Sequence, residues 1–174
     1  MSKNKMKSSR LYLFLLLFSL TTGAAMVNPI NGLQKVGEAK LEILFWDIYT
    51  SELFSASGRY QKDIYPIALK IKYLRNIDAA DLIDKTLEEW LKLGITKKQA
   101  KPWLSQLQEL WPNIKKRDEL LLLVNEDKSS EFFFNGESLG QLDDSEFGSS
   151  FLRIWLDENC SYPKLRKKLI GEDS

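Results

Sequence analysis

The sequence predicts an α+β domain built on a mostly antiparallel sheet, behind a removable N-terminal leader. Three observations carry this expectation. Residues 1–25 have the pattern of a leader and not of a folded element. Segments of period-2 apolar alternation and segments of helical spacing fall in separate blocks, in the order strands, helices, strands, helix. Blocks of this kind favour antiparallel pairing, whereas strict strand–helix alternation would favour a parallel sheet.

The leader opens with Lys3, Lys5, Lys7 and Arg10 and no acid. An apolar run follows from Leu11 to Leu20, and then the small residues Thr21, Thr22, Gly23, Ala24 and Ala25. A basic start, a short apolar centre and a small-residue end make a secretory signal peptide. The apolar run is shorter than the ~20 residues that span a bilayer. We therefore expect cleavage after Ala25, export (most simply to a periplasm), one domain over 26–174, and no stable membrane insertion after cleavage.

Four of the 25 basic residues lie in the leader, leaving 21 against 24 acids in the remainder. That balance argues against a nucleic-acid partner, which needs clustered Lys and Arg. Cys160 is the single cysteine and histidine is absent. Thiol-pair redox chemistry, an intramolecular disulfide and a serine–histidine triad are therefore excluded, and no metal site or cofactor is expected.

After a lead-in over 26–35, a long strand is expected from Ala39 to about Tyr49, apolar on both faces and therefore covered on both sides. Ser51 to Ser55 continues the sheet, and Ser57-Gly58-Arg59 reads as a turn. Ile67, Leu69, Ile71 and Tyr73 alternate with Ala68, Lys70 and Lys72 in a second strand. Asp78 is placed to cap a helix whose apolar stripe is Ala79, Leu82, Ile83, Leu87, Trp90 and Leu91. Its opposite face carries Asp81, Asp84, Lys85, Glu88, Glu89 and Lys92, and Gly94 closes it. A helix from Thr96 to about Leu110 contains Pro102, which either kinks it or begins a separate helix. Leu120–Val124, Glu131–Phe134 and Leu139–Leu142 read as strands, with Asn135-Gly136 as a tight turn. Asp143 and Glu146 suggest a capped helix with Phe147, Phe151, Ile154 and Trp155 inside. Pro163 starts a short basic helix ended by Gly171.

The acids Asp143, Asp144 and Glu146 are better explained by a helix start than by a cation site. Trp90, Trp103, Trp111 and Trp155 fall on helical stripes and read as core; Trp46 lies mid-strand. Lys40, Tyr49, Tyr73 and Arg75 are the polar groups on or beside buried strands. A cation and a phenol converging beside an apolar wall would bind a carboxylate or phenolate.

Four stretches together resemble the chalcone isomerase-like family found as exported bacterial proteins. They are VGEAKLEILFWDIYTSELF from Val36, LKIKYLRNIDAADL from Leu69, NGESLGQLDDSEF from Asn135, and PKLRKKLIG from Pro163. The resemblance implies an open-faced β-sandwich, mostly antiparallel, with a ligand cleft between sheet and helices. It also implies one of two activities. Relatives of the first kind are non-catalytic and bind fatty acids through an arginine and a tyrosine; the plant isomerases close a flavanone ring without a cofactor. By the resemblance the arginine's place falls on Lys40 and the tyrosine's near Tyr49. The helix over 78–93 offers Lys85, Thr86 and Lys92 but no Tyr or Asn to match the plant catalytic set. The expected function is thus binding of a small apolar or fatty-acid-like ligand by Lys40, Tyr49, Trp46, Tyr73 and Arg75. The alternative is a cofactor-free intramolecular lyase or isomerase acting on a chalcone-like substrate, with catalytic residues unassigned.

Overall fold

The computed structural model describes residues 28–172; the expected leader and its cleavage site lie outside the described residues. The strands are β1 (Gln34–Ile43), β2 (Trp46–Ser55), β3 (Ile67–Tyr73), β4 (Glu119–Val124), β5 (Ser130–Phe134) and β6 (Glu137–Leu142). They form one six-stranded sheet in chain order, and every neighbouring pair is antiparallel. The helices are α1 (Ala79–Lys92), α2 (Lys97–Leu110), α3 (Phe147–Leu156) and α4 (Pro163–Leu169). Among the described residues no helix is long and apolar enough to cross a membrane.

Alternation sorts the strand side chains onto two faces. Ala39, Leu41, Tyr49, Leu53, Leu69, Ile71, Tyr73, Leu120, Leu122 and Phe132 join the helices in the main core. On the other face Phe54, Ala68, Leu121 and Phe133 form a smaller cluster beneath Ile30 and Leu33. That face also carries Lys35, Glu52 and Lys70, joined by ion pairs. The sheet is therefore layered with helices on one side and largely open on the other.

The expected single strand from Ala39 to Tyr49 is two strands. Leu44 and Phe45 make a tight turn between β1 and β2, with Leu44 at φ 58°. The chain reverses there without the glycine or asparagine that usually marks such a turn. The centre of the apolar run, Ile43 to Trp46, is consequently a turn's exposed tip, not a strand covered on both sides. By contrast, Asn135-Gly136 has positive φ at both residues (51° and 86°), as its sequence predicts.

Helix ends follow the sequence unevenly. Thr96 and Gln99 form a reciprocal capping box at α2, and Pro102 lies inside one continuous helix. Asp78 occupies the cap position of α1, but its side chain makes no capping bond. The Ala79 N–H donates instead to Asn113 Oδ1 at 2.9 Å. At α3 the cap position falls on Glu146, not Asp143. Asp144 serves two elements, accepting the Glu146 N–H at 2.9 Å and the Trp103 indole N–H at 2.8 Å.

The helix layer is tied together by aromatic rings. Trp90, wholly buried, meets Trp103, Phe147 and Phe151 edge-on at 5.3, 6.2 and 6.3 Å, and donates to the Ser150 carbonyl at 3.0 Å. Each such ring pair adds about 0.5–1.5 kcal/mol beyond its buried area. At the sheet edge, α4 lies directly on β1. A Cβ at Gly37 would overlap the carbonyls of Lys168 and Leu169 at the end of α4. Gly37→Ala should therefore cost about 1–3 kcal/mol by overpacking against rigid backbone. A urea midpoint unchanged from wild type would contradict this docking of α4.

Candidate functional site

A hollow with largely apolar walls lies between the helix-covered face of the sheet and helices α1 and α3. Its volume is about 500 Å³, within the range of small-molecule sites. The sheet side comes from the turn-proximal ends of β1 to β3: Leu41, Ile43, Ile48, Tyr49, Ile71 and Tyr73. Helix α1 contributes Asp81, Leu82, Lys85, Thr86 and Glu89. Helix α3 contributes Phe151, Ile154 and Trp155, while Trp111 and Tyr162 complete the wall. Arg75, Asn76 and Asp78, on the connection from β3 to α1, line it too, and Arg75 is exposed.

Tyr49 is 9% exposed, and its hydroxyl oxygen accepts the Trp155 indole N–H at 2.8 Å. Because an indole N–H can only donate, the Tyr49 O–H remains available to donate. Tyr73 stands edge-on to Tyr49 at 6.2 Å. Burial drives the titration of both phenols well above the ordinary value, so both are neutral donors at physiological pH. Trp111 buries its indole N–H with no partner among the described residues. A buried unpaired donor is costly unless something outside the chain accepts from it.

Glu89 is the buried carboxylate of the wall, 3% exposed. Lys85 and Lys92 approach one of its oxygens at 3.0 and 3.1 Å, and the Ser161 hydroxyl donates to the other. Desolvation alone would raise its pKa, but the bonds from Ser161, Lys85 and Lys92 outweigh it and hold the group below the ordinary value of 4.5. The same knot pushes Lys92 up to about 12, chiefly through Glu88 and then Glu89. Lys85 also pairs with Glu88 at 3.0 Å, so its ammonium is already engaged.

The residues expected to bind a ligand divide into two sets. Tyr49, Tyr73 and Arg75 line the hollow. Lys40 does not: it alternates with the buried Ala39 and Leu41, so its side chain leaves the sheet on the opposite face. There it pairs with Asp47 at 2.7 Å and Glu42 at 3.6 Å, nearly half exposed. Trp46 lies at the turn between β1 and β2, exposed, with the Arg75 guanidinium 5.9 Å above its ring. Sequence reasoning read Trp155, Trp111 and Phe151 first as core, and they form the wall of the hollow. It also assigned Glu89 and Lys85 to the solvent face of α1. The available signal was the spacing Leu82, Thr86, Glu89, one helical face running from apolar to acidic.

A second hollow, between the β2–β3 connection and α3, is walled largely by polar groups. Its arginines are used internally. Arg153 pairs with Asp157 at 2.7 Å and donates to the Leu93 carbonyl at 3.0 Å, and Arg166 donates to the Leu156 carbonyl at 2.8 Å. The cleft beside Tyr49 is therefore the better candidate.

The Glu89 knot makes a pH prediction. A carboxylate whose folded pKa lies below its unfolded value stabilises the fold above the unfolded pKa. That contribution disappears as pH falls through the folded value. Glu89→Gln should cost about 1 kcal/mol at pH 7, discounted because both lysine ends reach solvent. The loss should shrink as pH drops below 4.5, and equal losses at pH 7 and pH 3 in chemical denaturation would contradict it.

Comparison with known proteins places these features. The sequence profile described as chalcone isomerase-like matches residues 40–171. A Haemophilus influenzae protein is 28% identical over 144 residues, covering 83% of this chain and 71% of its own. The crystal structure of an Arabidopsis thaliana fatty-acid binding protein superposes with a TM-score of 0.63 at 10% identity, covering 82% of this chain and 88% of that one. The last likeness is one of fold, and it is the fold that the sequence resemblance implied. With a meander sheet, one helical layer and a profile match over most of its length, the chain belongs to the chalcone isomerase-like family.

Proposed function

We propose that the protein binds a small, largely apolar ligand with an oxygen-bearing head group in the cleft beside Tyr49, without transforming it. The carrying observation is the pairing of apolar walls with neutral donors that the protein leaves unused. The Tyr49 O–H and the Trp111 N–H both await an acceptor. Arg75, exposed at the edge of the cleft, is the cation best placed to meet a carboxylate there. A fatty-acid-like molecule matches this polarity, and the Arabidopsis neighbour, by its title, is a fatty-acid binding protein. The leader-like N-terminus supports an exported, periplasmic setting for this binding.

The alternative, cyclisation of a chalcone-like substrate, draws less support from the cleft. Its two buried phenols are held protonated, so they donate hydrogen bonds rather than take protons at neutral pH. Lys85 is bound to Glu88 and Glu89. These groups suit holding a ligand better than moving its protons.

Thermal-shift and calorimetric titration with fatty acids of graded chain length test the proposal. Wild type should be stabilised by them, and Leu82→Trp, which fills the cleft, should abolish the effect. Arg75→Ala should weaken a carboxylate ligand about tenfold while leaving its methyl ester unchanged, since a charge-assisted bond is worth about 1.5–3 kcal/mol. Absence of any shift with wild type would overturn the binding reading. Chalcone turnover above the solution rate would favour the enzymatic one.

A further inference from the structure

The turn joining β1 and β2 places four large apolar residues in sequence at the surface. Ile43, Leu44, Phe45 and Trp46 are 40, 83, 95 and 66% exposed. Beyond these, Ile64 and Leu91 are the other exposed large hydrophobics among the described residues. Exposure of this degree is ordinary for a single side chain but not for a consecutive run. The turn's backbone adds to the case. Leu44 holds φ 58°, a region that glycine or asparagine would occupy with less strain. A turn built only to reverse the chain would resemble Asn135-Gly136; this one keeps bulk and hydrophobicity at some cost to itself.

Two further features mark the run as a working surface. Ile43 belongs both to the exposed tip and to the wall of the cleft, so the tip adjoins the cleft's opening. The charges around it are largely neutralised. Two cations, Lys40 and Arg75, stand against two acids, Asp47 and Glu42, with Arg75 over the Trp46 ring.

We propose that this tip inserts into the interfacial layer of a lipid bilayer and thereby sets the cleft's opening against the membrane surface. A convex point of four side chains suits a fluid apolar phase. It falls far short of the roughly 20–30 residues a side that a stable protein interface employs. A second copy of the chain offers it only the same tip and the separate Ile64 and Leu91, too small an apolar area for a stable dimer. Tryptophan and phenylalanine beside branched aliphatic residues are the side chains that partition to the interface. With the neighbouring charges balanced, the insertion depends on apolar contact and not on anionic lipid. The proposal stands on the tip itself and holds whether or not the cleft is loaded.

Bromine quenching reads this directly. Trp46 is exposed, whereas Trp90, Trp103, Trp111 and Trp155 are buried, so acyl-chain bromine reports on the tip. The chain over residues 26–174, without the apolar leader, is mixed with phosphatidylcholine vesicles brominated on their acyl chains, with and without phosphatidylglycerol. Wild-type emission should be quenched alike by both compositions, and Trp46→Phe should lose the quenching. Phe45→Asp should need about tenfold more lipid for the same quenching, because a charge replaces buried apolar area at the interface. Vesicle attachment without quenching would overturn the proposal, since the chain would then be held by another segment. Self-association that Phe45→Asp abolishes, with no quenching by either vesicle, would overturn it in favour of a protein contact.

Discussion

The hydrogen bond from the Trp155 indole to the Tyr49 hydroxyl fixes how far α3 stands from the sheet. It joins residues 106 positions apart, is buried, and spans the two layers of the fold. A polar bond of defined length between large rings props the layers as well as joining them. Where small aliphatic side chains meet, as Leu53 and Leu69 do beneath the helices, the layers close into solid core. Where Tyr49 and Trp155 meet, a hollow remains, walled by Ile48, Ile71 and Leu82. The Glu89 knot holds α1 in the same way from the other side, binding it through Ser161 to the segment that leads into α4. The cleft is thus a consequence of two polar braces set in an otherwise apolar interface.

Much of this architecture was legible because it rests on short-range rules. Period-2 alternation located β3 and the return strands, helical spacing located α2, and the positive φ of Asn135 and Gly136 follows from residue type. What failed was non-local. No residue between Ala39 and Tyr49 announces a reversal, because Leu-Phe is a poor turn former and the turn is imposed by pairing of the flanking strands. That reversal changes how the whole region reads: it moves Trp46 from a strand interior to an exposed tip. Lys40 could have been placed by parity alone, since it sits between two buried neighbours on β1.

The candidate site was half visible for a related reason. Tyr49, Tyr73 and Arg75 announce themselves as polar groups on buried strands, and all three line the cleft. Trp111, Trp155 and Glu89 do not, because a helical stripe looks the same whether it faces solid core or a void. Glu89 in particular reads as one charge among many on the outer face of α1. The approach of Ser161, 72 residues away, shows that the face is covered. The family's arginine position illustrates the limit of transfer by motif. The resemblance put that place on Lys40, whose partners are Asp47 and Glu42 on the far side of the strand. In this chain Arg75, supplied by the connection into α1, lines the cleft together with the ion-paired Lys85.

On the proposed function, the space beside Tyr49 is a receptor for an apolar chain and not a packing defect. Crystals grown with a fatty acid brominated at its terminal carbon would locate the ligand by the anomalous signal of the halogen. One strong bromine peak is expected between Ile71 and Leu82, with the carboxyl end directed toward Arg75. A peak confined to the outer surface, with the cleft filled by ordered water alone, would contradict it.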